Sequence, residues 1–428
     1  MLGTSPGPTT IDPSQALTAD DWYLVSAVHE SLYRLNEQNQ PIINLLARSP
    51  QPIKNGREWR CTLRKDILFH TGERVHSHDV IASVRRLNGT RFGWIPQQFR
   101  LKKLNNTTFT IRSRRTIKRD DLERILASPA LSILPKKWDG KSGLGPFKLQ
   151  RWSPTETLSL SRNDEHHRGT PYLESLVIRR YAHKHGVRDA FRIGALDVVF
   201  LDSLHALDQL PDSAFQKGIR VKGQHTESVG LIVPESRSHI SRNERIQVRT
   251  AITRTTVQHE VVGKTRVAKR WMPRVVAPSP KIPLSTSNMH NIRSWQLACP
   301  QSMKAACQAI AAATPNVLDP SGNNGQPWSY TLMTPTQERA ARQLPATAPW
   351  DALLVSIIHI DPWKRGALST ISTILKGKPT MYGSRKMWKS GVWLPLFERR
   401  AFMVHKPQIY NLRFSFTSHS DLGEVWRQ

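Results

Sequence analysis

The sequence predicts a mixed α/β fold. Over much of the chain, short apolar or alternating runs typical of strands are interleaved with stretches whose apolar residues recur at helical spacing. The chain has 428 residues, which is enough for two or three domains and a sizeable core. Strands and helices that interleave in this way pack as sheets covered by helices. We therefore expect mixed sheets, and no internal repeat is visible.

The strand predictions rest on apolar or alternating runs bounded by turn residues. They cover 59–64, 107–113, 142–149, 158–163, 176–181, 196–200, 351–358 and 393–397. The helix predictions cover 21–35, 120–126, 188–193, 245–252, 303–313 and 421–426. Gly194 fits the C′ position of the helix before it. Residues 270–295 and 315–327 are rich in turn formers and predict irregular surface.

Residues 69–83 predict a strand end, a tight turn at Gly72 and then a helix. Ser77 is the expected N-cap, and Asp79 is expected in the first turn, where the helix dipole favours an acid.

The charge of the chain is strongly positive. There are 62 Lys and Arg against 33 Asp and Glu, a formal net charge of +29, and the basic residues are dispersed along the sequence. Such a field attracts anions, nucleic acid and acidic lipid. No DNA- or RNA-binding motif is present, so we expect any interaction with nucleic acid to be non-specific.

The sequence gives fewer indications of the protein's compartment and of the redox state of its cysteines. No apolar run approaches the roughly 18 residues of a membrane span, and the start of the sequence shows no signal peptide. The three cysteines, Cys61, Cys299 and Cys307, have no metal-ligand spacing, and we expect three buried free thiols.

Catalytic and cofactor motifs are not found. The Gly-rich run at 142–145 is followed by Pro146 and a predicted strand, which does not fit a phosphate-binding helix start. No G-x-S-x-G motif occurs, and carboxylates are scarce. His70, His76 and His78, and the pair His166–His167, are expected to be structural or surface residues rather than metal ligands. We predict no enzyme activity, no cofactor and no metal.

Phe69-His70-Thr71-Gly72 followed by Asp79-Val80 and Ser83 resembles "F-H-x-G-x-x-x-x-x-D-V-x-x-S". This is the signature of extracytoplasmic solute-binding proteins of family 5, the oligopeptide-, dipeptide- and nickel-binding class. Further motifs follow in family order at 11–13, 29–32, 41–47, 59–64, 142–149, 162–171, 194–197, 248–252 and 361–362. Each is weak alone, but their shared order over most of 11–252 is specific.

The resemblance implies a two-lobed, type II periplasmic-binding-protein-like fold with a ligand cleft between the lobes. We expect lobe one to contain residues 1–240, with 391–428 returning to it, and lobe two to contain 241–390. It also implies capture of a peptide or similar small solute for an ABC-type permease, by a monomer in the periplasm or at the cell surface. Without a visible signal peptide, a cytoplasmic location stays an alternative.

The same resemblance suggests ligand contacts. Glu30 lies in a motif that borders the cleft in the family, where a carboxylate can meet a ligand cation. Aromatic residues line such clefts, and the candidates are Trp152, Trp363, Trp388 and Trp393. A helix-surface role for Glu30, and core packing for each tryptophan, are the alternatives.

Two departures from the family pattern bear on function. Thr253 and Thr255 stand near the family's "I-D-R", and Ile358 stands where peptide-binding relatives often have an acid that pairs with a peptide's amino group. The second departure does not favour ordinary binding of a free peptide N-terminus. Two other readings stay open: the ligand-sensing domain of a transcriptional regulator with this fold, and a decayed family member that binds nothing.

Overall fold

The structure is a computed structural model of the 428-residue chain. It describes residues 1–4, 7–16, 18–36, 38–152, 157–181, 184–201, 219–222, 227–233, 237, 239–256, 266–268, 294–318, 328–334, 337, 349–358, 392–399, 402–412 and 422–427.

Helices and strands interleave along the described chain. The helices are α1 (Ala19–Val28), α2 (Ser77–Arg86), α3 (Trp94–Gln98), α4 (Arg119–Leu126), α5 (Lys184–Arg192), α6 (Arg242–Thr256) and α7 (Lys304–Leu318). The strands are β1 (Leu2–Thr4), β2 (Tyr33–Leu35), β3 (Pro41–Ile43), β4 (Gln51–Pro52), β5 (Glu58–Thr62), β6 (Phe99–Lys103), β7 (Thr108–Ser113), β8 (Phe147–Trp152), β9 (Thr157–Arg162), β10 (Ser175–Arg180), β11 (Val198–Leu201), β12 (Ile219–Lys222), β13 (Glu227–Ile232), β14 (Arg266–Val267), β15 (Gln296–Pro300), β16 (Ser329–Met333), β17 (Ala352–Ile358), β18 (Trp393–Arg399), β19 (Phe402–His405), β20 (Ile409–Tyr410) and β21 (Trp426–Arg427).

The largest sheet has seven strands in the order β12-β19-β11-β1-β10-β9-β8. Strand β1 is parallel to both of its neighbours, β10 and β11, whereas β19 runs antiparallel to β11 and β12. The sheet is therefore mixed, and it joins the first residues of the chain to residues near the C-terminus.

A second sheet has six strands in the order β14-β18-β13-β17-β15-β16, and it is also mixed. Helix α6 contacts α7 and β18, and α7 also contacts β15 and β16. The apolar side chains between helices and sheet form one core cluster, with Trp295 and Trp393 among its largest members.

A third sheet, β4-β5-β7-β6, is antiparallel throughout. The residues on its inner face alternate along the strands: Trp59 and Cys61 on β5, and Phe109 and Ile111 on β7, are buried. They pack in a cluster that also contains apolar residues of α2, α3 and α4.

Two strands that were expected in lobe one belong to the six-stranded sheet. Residues 227–232 and 393–399 were both expected in lobe one, yet β13 and β18 pair with each other in the six-stranded sheet. Strand β19, only two residues after β18, returns to the seven-stranded sheet. The expected lobe boundaries at 240 and 391 stay a prediction.

Three local predictions were wrong. The helix expected over 21–35 ends at Val28, and Tyr33–Leu35 is a strand paired with β3, because a short apolar run satisfies strand and helix spacing equally. The N-cap of α2 is His76, whose backbone N–H donates to the Asp79 carboxylate over 2.9 Å. The expected helix over 421–426 is a 3₁₀ turn at 422–424 followed by β21, which pairs with β20.

The prediction of three free thiols was also wrong. Cys299 at the end of β15 and Cys307 in α7 form a disulfide, whereas Cys61 is free and buried. Two thiols eight residues apart carried no sequence signal, but the tight turn from strand to helix brings their Cα atoms to 6.3 Å. Among the described helices, none is both long and apolar enough to cross a membrane.

Candidate functional site

The candidate site is built around Glu30, just after the end of α1. This helix starts with a capping box in which the Thr18 hydroxyl accepts from the backbone N–H of Asp21, and the Asp21 carboxylate accepts from that of Thr18. His29 leaves the helix with an extended backbone, so Glu30 no longer follows the helical path. The Glu30 carbonyl accepts a hydrogen bond from the backbone N–H of Ile133 over 2.8 Å, which fixes this turn.

Two glycines allow another segment to cross the end of α1 at close range. A Cβ atom on Gly143 would lie 2.0 Å from the Val28 carbonyl oxygen, and one on Gly145 would lie 2.5 Å from that of Ala27. Only a residue without a side chain fits at either position. The predicted Gly-rich motif thus serves close backbone packing rather than phosphate binding.

Four side chains donate hydrogen bonds to the Glu30 carboxylate. His166 Nε2 and Arg168 Nη2 lie 3.1 and 3.3 Å from Oε1, while His167 Nε2 and Asn44 Nδ2 lie 2.5 and 3.1 Å from Oε2. Both imidazoles are almost fully buried, and Arg168 is 20% exposed. We call Glu30, Asn44, His166, His167 and Arg168 the Glu30 cluster.

The loop between β9 and β10 delivers three members of the cluster. It starts at Asn163, whose backbone N–H donates to the Pro146 carbonyl over 2.8 Å. A turn closes where the N–H of Gly169 donates to the His166 carbonyl over 2.9 Å, and Gly169 has a φ of +103°. This backbone conformation favours glycine and directs the three consecutive side chains at 166–168 toward Glu30.

The electrostatics of the cluster favour an ionised carboxylate. Burial raises the pKa of Glu30, but the hydrogen bonds from His166 and His167 and the charge of Arg168 outweigh burial and hold it well below its ordinary value. Arg168 supplies the balancing positive charge inside the protein. The Glu30 carboxylate therefore links the residues that follow α1 and β3 to the 163–170 loop.

The hydrogen bonds within the Glu30 cluster also limit how Glu30 can contact a ligand. Both carboxylate oxygens already accept two hydrogen bonds each, and Glu30 is only 8% exposed. A ligand cation that reached Glu30 would have to displace one of these donors. The ligand contact expected from the sequence stays a prediction.

Two groups of side chains have the composition of metal ligands. Glu30, His166 and His167 offer donor atoms within 4.8 Å of one another, and so do His76, His78 and Asp79 at the start of α2. In the second group the imidazoles of His76 and His78 stack with their centroids 5.3 Å apart, and Asp79 already accepts from the backbone N–H groups of His76 and Lys136. The expectation of no metal stays a prediction.

His70 has a structural position, as its place in the motif implied. Its Nδ1 accepts from the backbone N–H of Gly143 over 3.1 Å, and its Nε2 lies 3.0 Å from the Gly145 carbonyl oxygen. Burial lowers the pKa of His70 to about 4, so the ring is neutral near pH 7. His70 thereby holds the glycine segment against α1.

The tryptophans expected in the cleft have different surroundings. Trp152 ends β8 and is partly buried against the cluster that packs on the seven-stranded sheet. Trp393 is fully buried in the core of the six-stranded sheet, so it presents no surface to a ligand in this conformation. Trp363 and Trp388 lie outside the described residues.

Sequence reasoning missed that His166, His167, Arg168 and Asn44 surround Glu30. The available signal was the segment Arg162-Asn163 to Pro171, which resembles "R-N-x-x-Y-x-x-G-x-P" but carries His166 at the tyrosine position. Glu30 and His166 are 136 residues apart, so no local pattern could pair them.

The comparison with protein families is decisive for classification. The model of the family described as "Bacterial extracellular solute-binding proteins, family 5 Middle" matches residues 41–268, more than half of the chain. The chain belongs to this family. The match covers the third sheet, the 163–170 loop and α6 of this family-5 protein, and it confirms the resemblance seen in the motifs.

Curated relatives match this family-5 protein over a shorter segment. Protein YhjP of Bacillus subtilis is 25% identical over 170 residues, which are 39% of this chain and 29% of YhjP. The HTH-type transcriptional regulator SgrR of Salmonella typhimurium is 28% identical over 160 residues, which are 36% of this chain and 28% of SgrR. The matched segment thus spans less than a third of either relative.

Solved structures match over the whole chain. The murein tripeptide binding protein MppA of Escherichia coli has a TM-score of 0.79 and 13% identity, covering 100% of this chain and 97% of MppA. OppA of Listeria monocytogenes, bound to peptide, has a TM-score of 0.76 and 14% identity, covering 100% and 98%. NikA of Staphylococcus aureus, in complex with Ni(L-His)2, has a TM-score of 0.75 and 13% identity, with coverage of 100% and 99%. These likenesses show the two-lobed, mixed α/β fold of this class and confirm the predicted fold class.

Proposed function

We propose that this protein captures a peptide or a similar small solute in a cleft between two lobes and delivers it to an ABC-type permease. The observation that carries the proposal is the family match over residues 41–268, joined to a fold shared with peptide-bound binding proteins. The ligand shifts the protein from an open to a closed form, and the protein acts as a monomer without catalysis.

The strand pairing suggests how the lobes divide. Lobe one would hold residues 1–222 and 402–428, which contain the seven-stranded sheet, and lobe two would hold 227–399, which contain the six-stranded sheet. Trp152, Trp363 and Trp388 are the proposed aromatic wall residues of the cleft, and Glu30 is the proposed cation contact.

The binding step can be tested with defined peptides. A mixed library of two- to five-residue peptides is incubated with the protein, and bound species are identified by native mass spectrometry. Each hit is then titrated by calorimetry, with small-angle scattering to follow closure. A saturable complex with a smaller radius of gyration is expected, and no binding of any peptide would contradict the peptide form of the proposal.

The N-terminus of the peptide provides a sharper test. Because Ile358 stands where relatives often have an acid, the peptide's amino group gains no carboxylate partner there. Each hit is therefore compared with its N-acetylated form, and the two are expected to bind within a few-fold of each other. A large loss on acetylation would show that another acid of this chain recognises the amino group.

An extracytoplasmic location is part of the proposal. The disulfide between Cys299 and Cys307 supports it, because such bonds persist in oxidising compartments and are rare in the cytosol. Trapping of free thiols with a maleimide, in cells of the native host before lysis, measures the state of this pair. One labelled cysteine, Cys61, is expected after unfolding, and three labelled cysteines would contradict this location.

A sensor domain of a transcriptional regulator is the second candidate. The similarity to SgrR, an HTH-type transcriptional regulator, favours it, although the match covers only 28% of SgrR. The two candidates differ in the thiol experiment, because a cytosolic sensor would keep all three cysteines reduced. They also differ in partner, since only a transport protein should bind membranes that contain its permease more strongly than membranes of the same lipid composition without it.

A further inference from the structure

The outward face of the four-stranded sheet is strongly cationic. Side chains alternate between the two faces of each strand, and the inner face is occupied by buried apolar residues of β5 and β7. The outer positions of β5, β7 and β6 include four exposed cations: Arg60, Arg112, Arg100 and Lys102. We call these four residues the cationic sheet face.

The strand register places the four charges close together. Arg112 lies directly opposite Arg100, and Arg60 and Lys102 lie on either side of Thr110. Neighbouring strands are about 4.8 Å apart and alternate residues about 7 Å apart. The Cα atoms of the four cations therefore lie within an area of roughly 10 by 7 Å.

This arrangement is unfavourable unless an anion covers it. Like charges directly opposite each other destabilise a sheet. Within the described part of the chain, no acid forms an ion pair with any of the four cations. Glu58 lies directly opposite Arg112 on the same face, but its carboxylate pairs with Lys54, at 3.7 Å, and not with Arg112.

Two exposed aliphatic side chains mark opposite ends of the same face. The backbone N–H of Ile53 donates to the Glu58 carbonyl, and that of Leu104 donates to the Thr108 carbonyl, so each residue extends an outer row of the sheet. Ile53 is 42% exposed and Leu104 is 46% exposed, whereas most large apolar side chains of the described chain are buried. The face thus combines a cationic centre with an apolar residue at each end.

We propose that this face docks on a membrane surface that contains anionic phospholipid. Lipid phosphates complement the four cations, and exposed aliphatic side chains insert at the boundary between headgroups and acyl chains. Bases of single-stranded nucleic acid instead require aromatic side chains for stacking, and the exposed aromatic residues of the described chain, Tyr172 and Tyr410, lie outside this sheet. The docking does not depend on the ligand in the proposed cleft.

The test is co-sedimentation with vesicles. The protein is mixed with vesicles of phosphatidylcholine alone, or of phosphatidylcholine with phosphatidylglycerol. A variant with Arg60→Gln, Arg100→Gln, Lys102→Gln and Arg112→Gln is compared with a control that carries Arg151→Gln, Arg179→Gln, Arg192→Gln and Lys304→Gln. The control loses the same charge from exposed positions on other elements.

The expected result is that the wild type binds only the anionic vesicles. The sheet variant should lose on the order of tenfold or more in partitioning, while the control changes by no more than about twofold. The double variant Ile53→Ser/Leu104→Ser should weaken the part of binding that survives high salt. Circular dichroism and thermal unfolding show that each variant is folded.

Three outcomes would overturn the proposal. Equal loss in the sheet variant and the control would assign binding to net charge alone. No loss in the sheet variant would remove this face from the interaction. Tighter binding to duplex DNA than to anionic vesicles, measured at equal phosphate and about 150 mM salt, would make nucleic acid the partner.

Discussion

The Nε2 atom of His167 lies 2.5 Å from Oε2 of Glu30, although the two residues are 137 positions apart in the sequence. Glu30 follows the first helix, and His167 belongs to the loop between β9 and β10. Through this contact and those of His166 and Arg168, one buried carboxylate links the end of α1 to the loop between β9 and β10.

Replacing Glu30 with glutamine tests how much the contacts of its carboxylate contribute to the stability of the fold. Glu30→Gln removes the charge opposite Arg168 and gives His166 and His167 a weaker acceptor. We expect the free energy of unfolding to fall by about 1–3 kcal/mol, the scale of hydrogen bonds to a charged group. Urea unfolding measures it, with Glu73→Gln at an exposed position as the matched control.

The ligand role of Glu30 makes the opposite prediction. If Glu30 contacts a ligand cation, Glu30→Gln should weaken binding of a cationic solute while stability changes little. Calorimetry with any solute found in the library separates the two roles. Unchanged stability with weaker binding of the cationic solute would support Glu30 as the proposed cation contact.

Acid should destabilise the protein through His29. Burial lowers its pKa to about 3 in the folded state, against an ordinary value of 6.5. Between these values the unfolded chain binds a proton that the folded chain does not, so stability falls as pH drops from about 6.5 toward 3. The limiting slope is about 1.4 kcal/mol per pH unit for one such group.

The matched experiment compares His29→Phe with His239→Gln at an exposed position. Urea unfolding between about pH 7 and 4, the range in which a histidine with this shift changes its protonation, gives the slope for each protein. His29→Phe should flatten the acid side of the curve, and His239→Gln should leave it unchanged. An unaltered slope in His29→Phe would mean that other groups dominate acid unfolding.

Reduction of the disulfide should lower stability. The bond between Cys299 and Cys307 closes a loop over a separation of eight residues. Loop-closure entropy for such a length corresponds to about 2–3 kcal/mol. Urea unfolding of Cys61→Ala with and without reductant measures the difference while the free thiol is absent. A midpoint that reductant does not move would show that the bond contributes nothing.

Removal of metal should leave the melting temperature unchanged. The oxygens of Glu30 already accept hydrogen bonds from four protein donors, so a cation is not needed to stabilise the carboxylate. Thermal unfolding is followed before and after treatment with a chelator and then with Zn²⁺ or Ni²⁺. A drop of several degrees that one metal restores, and that His167→Gln abolishes, would make the Glu30 cluster a metal site.

The residues alone determined the fold class and the family. Alternating patterns identified β7, β9 and β10, and a continuous apolar run identified β17, within a residue or so, because side-chain periodicity is a local property. The order of motifs from 11 to 252 pointed to the family that the match over 41–268 shows. The glycines at 143 and 145 also stood out as a motif, but their close approach to α1 was seen only in the structure.

Tertiary structure alone decided which distant residues meet. The chain turns back and brings together His166 with Glu30, and Cys299 with Cys307. Local periodicity does not reveal such contacts. The same holds for the assignment of β18 to the six-stranded sheet, since a buried strand has the same apolar sequence pattern in any sheet. The cationic sheet face likewise needed the strand register, because Arg100 and Arg112 become neighbours only when β6 and β7 pair.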